Sequence, residues 1–172
     1  WLDFSAYIFE GLFSNVLGDT TANRKLFYLG NLTIHDATVQ KSKELIEEQR
    51  LLKTHLEQQG FEVILSGRVR GHMERCPKGH EVLTFKEKGV DVRIAVDMVT
   101  LACRKEIKMA IIASSDSDLQ PAVRELRNSG VERIYIGFET QPNKGLMFTT
   151  NRAIIIRNSE VEEFAKRPDA TV

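Results

Sequence analysis

The sequence predicts an α/β fold in which helices cover both faces of a mostly parallel sheet. Short apolar runs alternate with longer segments of helical periodicity along almost the whole chain. Strands that alternate with helices are joined by right-handed crossovers, which produce parallel sheets. The chain has 172 residues, 42% of them hydrophobic, enough for one packed core and too few for two ordinary domains. We therefore predict a single domain over residues 1–172.

Hydrophobic periodicity gives the elements in order. A strand ending within residues 1–5 precedes a helix over 6–16, and we expect that strand to be truncated because the chain begins at Trp1 rather than at Met. Strands at 25–32 and 61–65 flank the longest helix, 36–59, which Gly60 would terminate. We expect Val39 and Leu56 to face inwards from that helix. The remaining predicted elements are a helix over 88–104, a strand at 109–113, a helix over 119–128, a strand at 133–138, a short helix around Leu146, a strand at 153–156 and a helix over 159–166.

Residues 67–87 interrupt this alternation and predict a hairpin-like excursion around a Cys76-Pro77-Lys78-Gly79 turn. The excursion and its flanks carry more cations than anions, which makes them the predicted anion-facing surface. The cations are Arg68, Arg70, Arg75, Lys78, Lys86 and Lys88, against Glu74, Glu81 and Glu87. His72, Cys76 and His80 are spaced four apart. The chain shows neither an obvious fourth ligand nor the paired cysteines of zinc ribbons, so we predict a solvated hairpin rather than a zinc site.

Residues 111–121 carry the most informative motif. An apolar strand, 109–113, breaks into a polar segment with Asp116 and Asp118 and then into a helix with Pro121 in its first turn. Asp118 is placed to cap that helix, and capping alone is the structural explanation to be weighed. Asp116 is not explained in this way. Two carboxylates so close repel each other unless a cation or a proton intervenes.

Two further acids are candidates for the same site. In open parallel sheets, ligands bind beyond the carboxyl ends of the strands. Asp3 ends the first predicted strand, and Asp116 follows the strand at 109–113. The two acids would face each other if these two strands are neighbours. Asp91 begins a helix and shares the helical face of Ile94, whereas Asp97 falls about 120° away. Such a group of carboxylates predicts a magnesium or manganese site.

Three segments resemble the NYN domain of the PIN-like superfamily, in its LabA-like (DUF88-type) branch. They are Leu2-Asp3-Phe4-Ser5-Ala6-Tyr7, Lys88-Gly89-Val90-Asp91 followed by Asp97, and Ser115-Asp116-Ser117-Asp118-Leu119-x-Pro121. The resemblance implies a Rossmann-like, three-layer sandwich with five or six strands, and the hairpin at about 67–87 would be an insertion in it. It also implies a metal-dependent ribonuclease in which Asp3, Asp91, Asp116 and Asp118 bind the metal and carry the catalysis.

The chain departs from the family pattern at three places. Ser115 stands where the family often has Gly, Ala6-Tyr7 replaces the usual residues after the first acid, and Asn151 stands where many members have Asp before the last strand. None of these departures removes one of the four carboxylates. Metal binding is therefore better supported than any particular placement of the substrate.

The predicted activity is hydrolysis of RNA phosphodiester bonds assisted by one or two Mg²⁺ or Mn²⁺ ions. Ser5, Asp97 and Ser115 are predicted to support the metal ligands, and RNA as the partner follows from the resemblance alone. The predicted phosphate contacts are Arg68, Arg70, Lys86, Lys88 and Arg93. For Tyr7, Phe85 and Phe138, packing in the core is favoured over stacking on a base.

Two alternatives stay open. One is an inactive scaffold that binds RNA or a protein, and the other is a small phosphatase or nucleotide hydrolase that uses the same carboxylates. The chain has no Gly-x-x-x-x-Gly-Lys-Ser/Thr loop, which argues against a P-loop nucleotide site.

Composition limits the setting of the protein. Lys plus Arg and Asp plus Glu both number 24, so nucleic-acid binding would rely on local patches. The two cysteines, Cys76 and Cys103, predict no disulfide framework, and we expect Cys103 to be a core residue. From this cysteine usage we expect a reducing, cytoplasmic setting. The chain shows neither a long apolar run nor a signal-peptide pattern at its N-terminus, so we expect neither membrane insertion nor export. Homodimerisation is left open.

Overall fold

Helices and strands alternate along most of the chain in the computed structural model, which describes residues 3–75, 77 and 79–165. The helices are α1 Phe9–Leu17, α2 Val39–Gln58, α3 Val90–Cys103, α4 Gln120–Asn128, α5 Lys144–Thr149 and α6 Asn158–Glu163. The strands are β1 Leu26–Gly30, β2 Glu62–Ser66, β3 Arg68–Arg75, β4 Glu81–Lys88, β5 Met109–Ala113, β6 Glu132–Phe138 and β7 Arg152–Ile156. Two 3-10 turns, Asp36–Thr38 and Ser117–Leu119, lead into α2 and α4. Each of these elements overlaps a predicted one.

The strands pair in three groups. β1 and β2 are parallel, β5, β6 and β7 form a parallel sheet in that order, and β3 and β4 form an antiparallel hairpin. The predicted mixed α/β fold with parallel sheets is thus confirmed, and so is the hairpin. A single sheet of five or six strands is not confirmed, because the largest parallel sheet in the described residues has three.

The predicted first strand is wrong for the residues that the structure describes. Asp3 belongs to no strand, and residues 4–6 form a turn in which Ala6 N donates to Asp3 O at 3.2 Å. The chain bends here because Ser5 donates twice to the Asp3 side chain, an interaction that competes with extended structure. Trp1 and Leu2 of the predicted strand lie outside the described residues, as does Lys166 of the predicted last helix.

Two compact units divide the chain. The first runs over Trp1–Lys25 and Ile94–Val172, and the second over Leu26–Arg93. α3 begins in the second unit, and its residues from Ile94 onwards belong to the first. The single domain predicted from length stays a prediction.

The core of the first unit lies between its sheet and the helices beside it. Buried side chains from β5, β6, α4, α5 and the 3-10 turn before α4 form one cluster, against which Ile94 and Met98 of α3 pack. Its members are Ile112, Leu119, Val123, Tyr135 and Leu146. Ala102 of α3 faces the core and is buried against Leu126 and Val131. Cys103, one position further round the helix, is exposed, so the prediction that it is a core residue is wrong.

In the second unit, α2 contributes buried side chains near both of its ends, Ser42 and Leu56. Phe61 is also buried, and its ring meets Phe27 of β1 edge-on at 6.3 Å between centroids. Gly60 has φ +80° and follows the last turn of α2, which confirms its predicted role in ending that helix. Val39 was predicted to face inwards but is exposed, because the covered face of the first turn of α2 carries Ser42 instead.

Among the described residues, no helix has both the length and the apolar character that a membrane span requires.

Candidate functional site

The turn after β5 places Asp116 and Asp118 next to each other. Ser114 Oγ accepts a hydrogen bond from Asp116 N at 3.1 Å, and Asp116 Oδ1 accepts one from Asp118 N at 2.7 Å. Asp116 therefore caps the 3-10 turn Ser117–Leu119 that leads into α4. The prediction that Asp118 caps its own helix is wrong, because the extended backbone of an N-cap occurs at Asp116 and Asp118 already lies inside the turn.

The two carboxylates differ in their surroundings. Asp116 is half-buried, whereas Asp118 is exposed. Within residues 3–75, 77 and 79–165, no basic side chain forms an ion pair with either of them. Two adjacent acids without a cationic neighbour favour the binding of a cation.

Asn143 fixes the backbone beside this turn. Its Nδ2 donates to Ser115 O at 2.8 Å, and its Oδ1 accepts from Leu146 N at 3.0 Å as the N-cap of α5. Its own N donates to the phenol oxygen of Tyr135, a fully buried residue, at 2.9 Å. Sequence analysis missed Asn143. An asparagine before a short helix is a recognisable capping signal, but its bond to Ser115, 28 positions away, follows only from the fold.

Asp3 is held by its own turn. Ser5 N and Ser5 Oγ donate to Asp3 Oδ1 at 2.9 and 2.6 Å, and both residues are exposed. The next residues are anchored by Tyr7, which is buried and donates its phenol hydrogen to Val161 O at 2.9 Å. Burial raises the pKa of Tyr7. Tyr7 is therefore a packing residue, as predicted.

Asp91 lies in the first turn of α3 and is half-buried. Glu87 Oε1 accepts a hydrogen bond from Val90 N at 2.9 Å and so satisfies one of the free amides at the start of this helix. This contact of Glu87 was not foreseen. Asp97, further along α3, is also half-buried, and both aspartates have interaction partners.

The predicted phosphate contacts are concentrated on the β3–β4 hairpin. Arg68 is directly opposite Lys88, and Arg70 is opposite Lys86. Arg68, Lys86 and Lys88 are exposed, as is Arg93 in α3. Lys86 is partly neutralised by Glu74, whose carboxylate lies 2.5 Å from its Nζ. The side chain of Arg70 lies outside the described part of the structure.

Other candidates have mixed outcomes. Phe138, favoured as a core residue, is instead 48% exposed because it is the last residue of β6, and Phe85 is half-buried. Of the zinc candidates, Cys76 and the side chain of His72 lie outside the described residues. Among the side chains that are described, no three His, Cys, Asp or Glu residues form a group that could hold a metal ion.

Comparisons with known proteins agree with this architecture. The family model of the NYN domain matches residues 9–157, a span that contains Asp91, Asp116 and Asp118 but not Asp3. NYN domains are generally nucleases of the RNase type. A crystal structure of a protein of unknown function from Vibrio parahaemolyticus is similar, with a TM-score of 0.58, 16% identity, and coverage of 91% of this chain and 80% of that one. At this identity the likeness shows the fold alone. A search of curated proteins found no significant match.

Proposed function

The chain belongs to the NYN domain family, and on that premise we propose that it is a divalent-metal-dependent ribonuclease whose metal is held at the Asp116 turn. The observation that carries the proposal is the pair of adjacent carboxylates, Asp116 and Asp118, at the carboxyl end of a parallel strand. This is the edge at which open α/β sheets bind ligands. The LabA-like branch is also part of the proposal, and the Lys88-Gly89-Val90-Asp91 and Ser115–Asp118 segments support it.

The donor atoms fit Mg²⁺ or Mn²⁺. Both ions prefer carboxylate oxygens, and Mg²⁺ commonly binds through one or two carboxylates while it keeps several waters. One oxygen of Asp116 is committed to Asp118 N, and its other oxygen accepts no hydrogen bond from the described residues. Asp118 is exposed. The pair thus offers oxygen ligands without a competing cation. Asp3 and Asp91 are the further ligands in the proposal, and they would have to approach the pair when the ion binds, because the described side chains form no group of three such ligands.

Several residues give this turn a fixed shape. Ser114 Oγ orients the amide of Asp116, and Asn143 holds the carbonyl of Ser115. Because Asp116 is the cap of the following turn, its carboxylate is positioned before any ligand binds, and little ordering is required on binding. A bound divalent ion would supply an activated water and neutralise charge on the phosphodiester. The chain itself supplies the ligand geometry and the contacts to flanking phosphates.

The hairpin supports RNA as the substrate. Like charges directly opposite each other on neighbouring strands destabilise a hairpin, and here Arg68 is opposite Lys88, whereas Lys86 is already paired with Glu74. An anion bound across these positions relieves the repulsion. RNA affinity is then expected to fall with salt, in proportion to the number of phosphates that the cations neutralise.

The test is an assay of single-stranded RNA cleavage with Mn²⁺ for wild type, Asp116→Asn and Asp118→Asn. The asparagine in Asp116→Asn can still accept the hydrogen bond from Asp118 N, so the variant removes charge while the cap is kept. We expect cleavage to fall about 100-fold or more. Asp19→Asn is the matched control, because Asp19 is an exposed acid in a turn of the same unit. It should cleave like wild type.

Cleavage by Asp116→Asn at the wild-type rate would refute the assignment of this site. Wild-type protein that binds RNA but cleaves none with Mg²⁺, Mn²⁺ or Co²⁺ would instead indicate a binding module on the same scaffold. Melting curves of each variant separate a chemical effect from a loss of fold.

A further inference from the structure

A second polar site lies at the amino ends of the strands in the three-stranded sheet. A cleft of about 500 Å³ is lined by Arg124 and Arg127 of α4, Arg133 of β6, and residues 148–151, which end α5 and lead into β7. Arg133 is the second residue of β6, and Asn151 immediately precedes β7. Asp116 follows the carboxyl end of β5. Because the three strands are parallel, the cleft lies at their amino ends and the Asp116 turn lies at their carboxyl ends.

Arg133 is a buried cation with a neutral partner. The residue is only 7% exposed, and its Nε and Nη2 donate to Asn151 Oδ1 at 3.1 and 2.7 Å. The backbone N of Arg133 donates to the same oxygen at 3.0 Å. Burying a charge is costly unless an opposite charge compensates it, and an amide oxygen carries only a partial charge. The arrangement therefore leaves the positive charge of Arg133 uncompensated.

The neighbouring cations add to this charge. Arg124 and Arg127 are three positions apart on α4 and project on the same side of the helix. Burial, and in second place the charge of Arg127, lower the pKa of Arg133. In the part of the chain that the structure describes, no carboxylate forms an ion pair with any of the three arginines. The cleft therefore concentrates positive charge.

An aromatic ring borders the same cleft. Phe148 is 89% exposed, the highest value among the large hydrophobic residues that are exposed in the described chain. Thr149 and Thr150, beside it, donate their hydroxyl hydrogens to carbonyls of α5, so they hold the end of that helix in place. A ring this exposed gains little from packing and is available as a flat apolar surface beside the cations.

We propose that this cleft binds the phosphate of a nucleotide, with Arg124, Arg127 and Arg133 facing the phosphate and Phe148 stacking on the base. Guanidinium groups bind phosphate through paired hydrogen bonds, and aromatic side chains stack on any base. The cleft volume lies within the range of ligand pockets, roughly 300–1,000 Å³. The phosphate could belong to a free mononucleotide or to the end of an RNA strand, since the chemistry is the same.

The first experiment is an NMR titration of the ¹⁵N-labelled full chain with AMP, adenosine and inorganic phosphate. We expect AMP to shift the amide signals of residues 148–151 and the Nε signal of Arg133. Adenosine, which lacks the phosphate, should shift them far less at the same concentration. Inorganic phosphate should act on the same signals but bind more weakly than AMP. Absence of shifts at these positions with AMP would overturn the proposal.

Two variants sharpen the result. Asn151→Asp keeps the acceptor oxygen for Arg133 and adds the missing negative charge, so AMP affinity should fall on the order of tenfold while the melting temperature does not fall. Asn23→Asp adds the same charge at an exposed turn and should bind AMP like wild type. Phe148→Ala, at an exposed position, should weaken AMP binding roughly fivefold or more and leave inorganic phosphate unaffected.

AMP binding by Asn151→Asp that equals wild type would refute the role of the uncompensated charge. Loss of inorganic phosphate binding in Phe148→Ala would refute the division between stacking and charge. A 5′-phosphorylated RNA octamer identifies the source. If this octamer binds more tightly than AMP, and more tightly than the same octamer without its phosphate, the site is assigned to an RNA end. If AMP binds more tightly than the phosphorylated octamer, the site is assigned to a free nucleotide.

Discussion

Asn143 offers a direct test of how the turn around Asp116 is held. Asn143→Ala removes the cap of α5 and the hydrogen bond to Ser115 O. Loss of an N-cap costs about 1 kcal/mol, and a hydrogen bond of this kind contributes about 0.5–1.5 kcal/mol. The side chain is small, so the cavity left behind adds little. We therefore expect the free energy of unfolding to fall by about 2 kcal/mol.

Asn143→Ser separates the two contributions. Its hydroxyl can still cap α5, but it is too short to reach Ser115 O, so we expect a loss of about 1 kcal/mol. The assay is urea unfolding followed by circular dichroism, with an unchanged slope of free energy against urea. Equal losses in both variants would show that the cap contributes nothing. Losses under about 0.3 kcal/mol in both would refute the argument that this residue holds the turn.

Two further predictions concern the fold. Gly67 has φ +64°, and a Cβ there would overlap a backbone carbonyl, so Gly67→Ala should lower the free energy of unfolding by about 2 kcal/mol or more. Gly130 has φ +73° but open space around the position of a Cβ, so Gly130→Ala should lower it by about 1 kcal/mol. Tyr7→Phe should cost about 1 kcal/mol through its lost hydrogen bond. Burial raises the pKa of Tyr7 in the folded state, so the unfolded state releases the phenol proton at a lower pH than the folded state does. Wild type therefore loses the stability that Tyr7 contributes as the pH rises above about 10. Thermal melts measure the glycine variants, and urea unfolding between pH 8 and 11 measures the tyrosine.

Equal effects of the two glycine substitutions would show that backbone conformation, and not the nearby carbonyl, sets the cost at Gly67. A pH dependence in Tyr7→Phe identical to that of wild type would assign the alkaline loss of stability to other groups.

The sequence predicted most local structure correctly because the relevant signals are local. The alternation of apolar runs and helical segments gave each described helix and each parallel strand to within a few residues. Gly60 and Gly130 mark the ends of α2 and α4 with positive φ, a conformation that glycine adopts at little cost. The two aspartates after β5 were located for the same reason, since strand, polar turn and helix follow one another directly in the chain.

Burial of single residues was predicted less well. Val39, Cys103 and Phe138 are apolar and fit the periodicity of their elements, yet all three are exposed. Each lies at an end of its helix or strand, and at two of these ends a neighbouring residue, Ser42 or Ala102, is buried in its place. Periodicity specifies which face of an element is apolar but not how far along the element its cover extends.

The sequence by itself thus determined the α/β class, the order of the elements, the carboxylate motif and the family. Tertiary structure decided what those residues contact. It assigned the cap to Asp116 instead of Asp118, brought Asn143 to Ser115 across 28 positions, and paired Arg133 with Asn151 across 18. The last two contacts arise because parallel strands bring distant segments to the same end of the sheet. Local spacing carries no record of them, and the arginine cleft was found only in the folded chain.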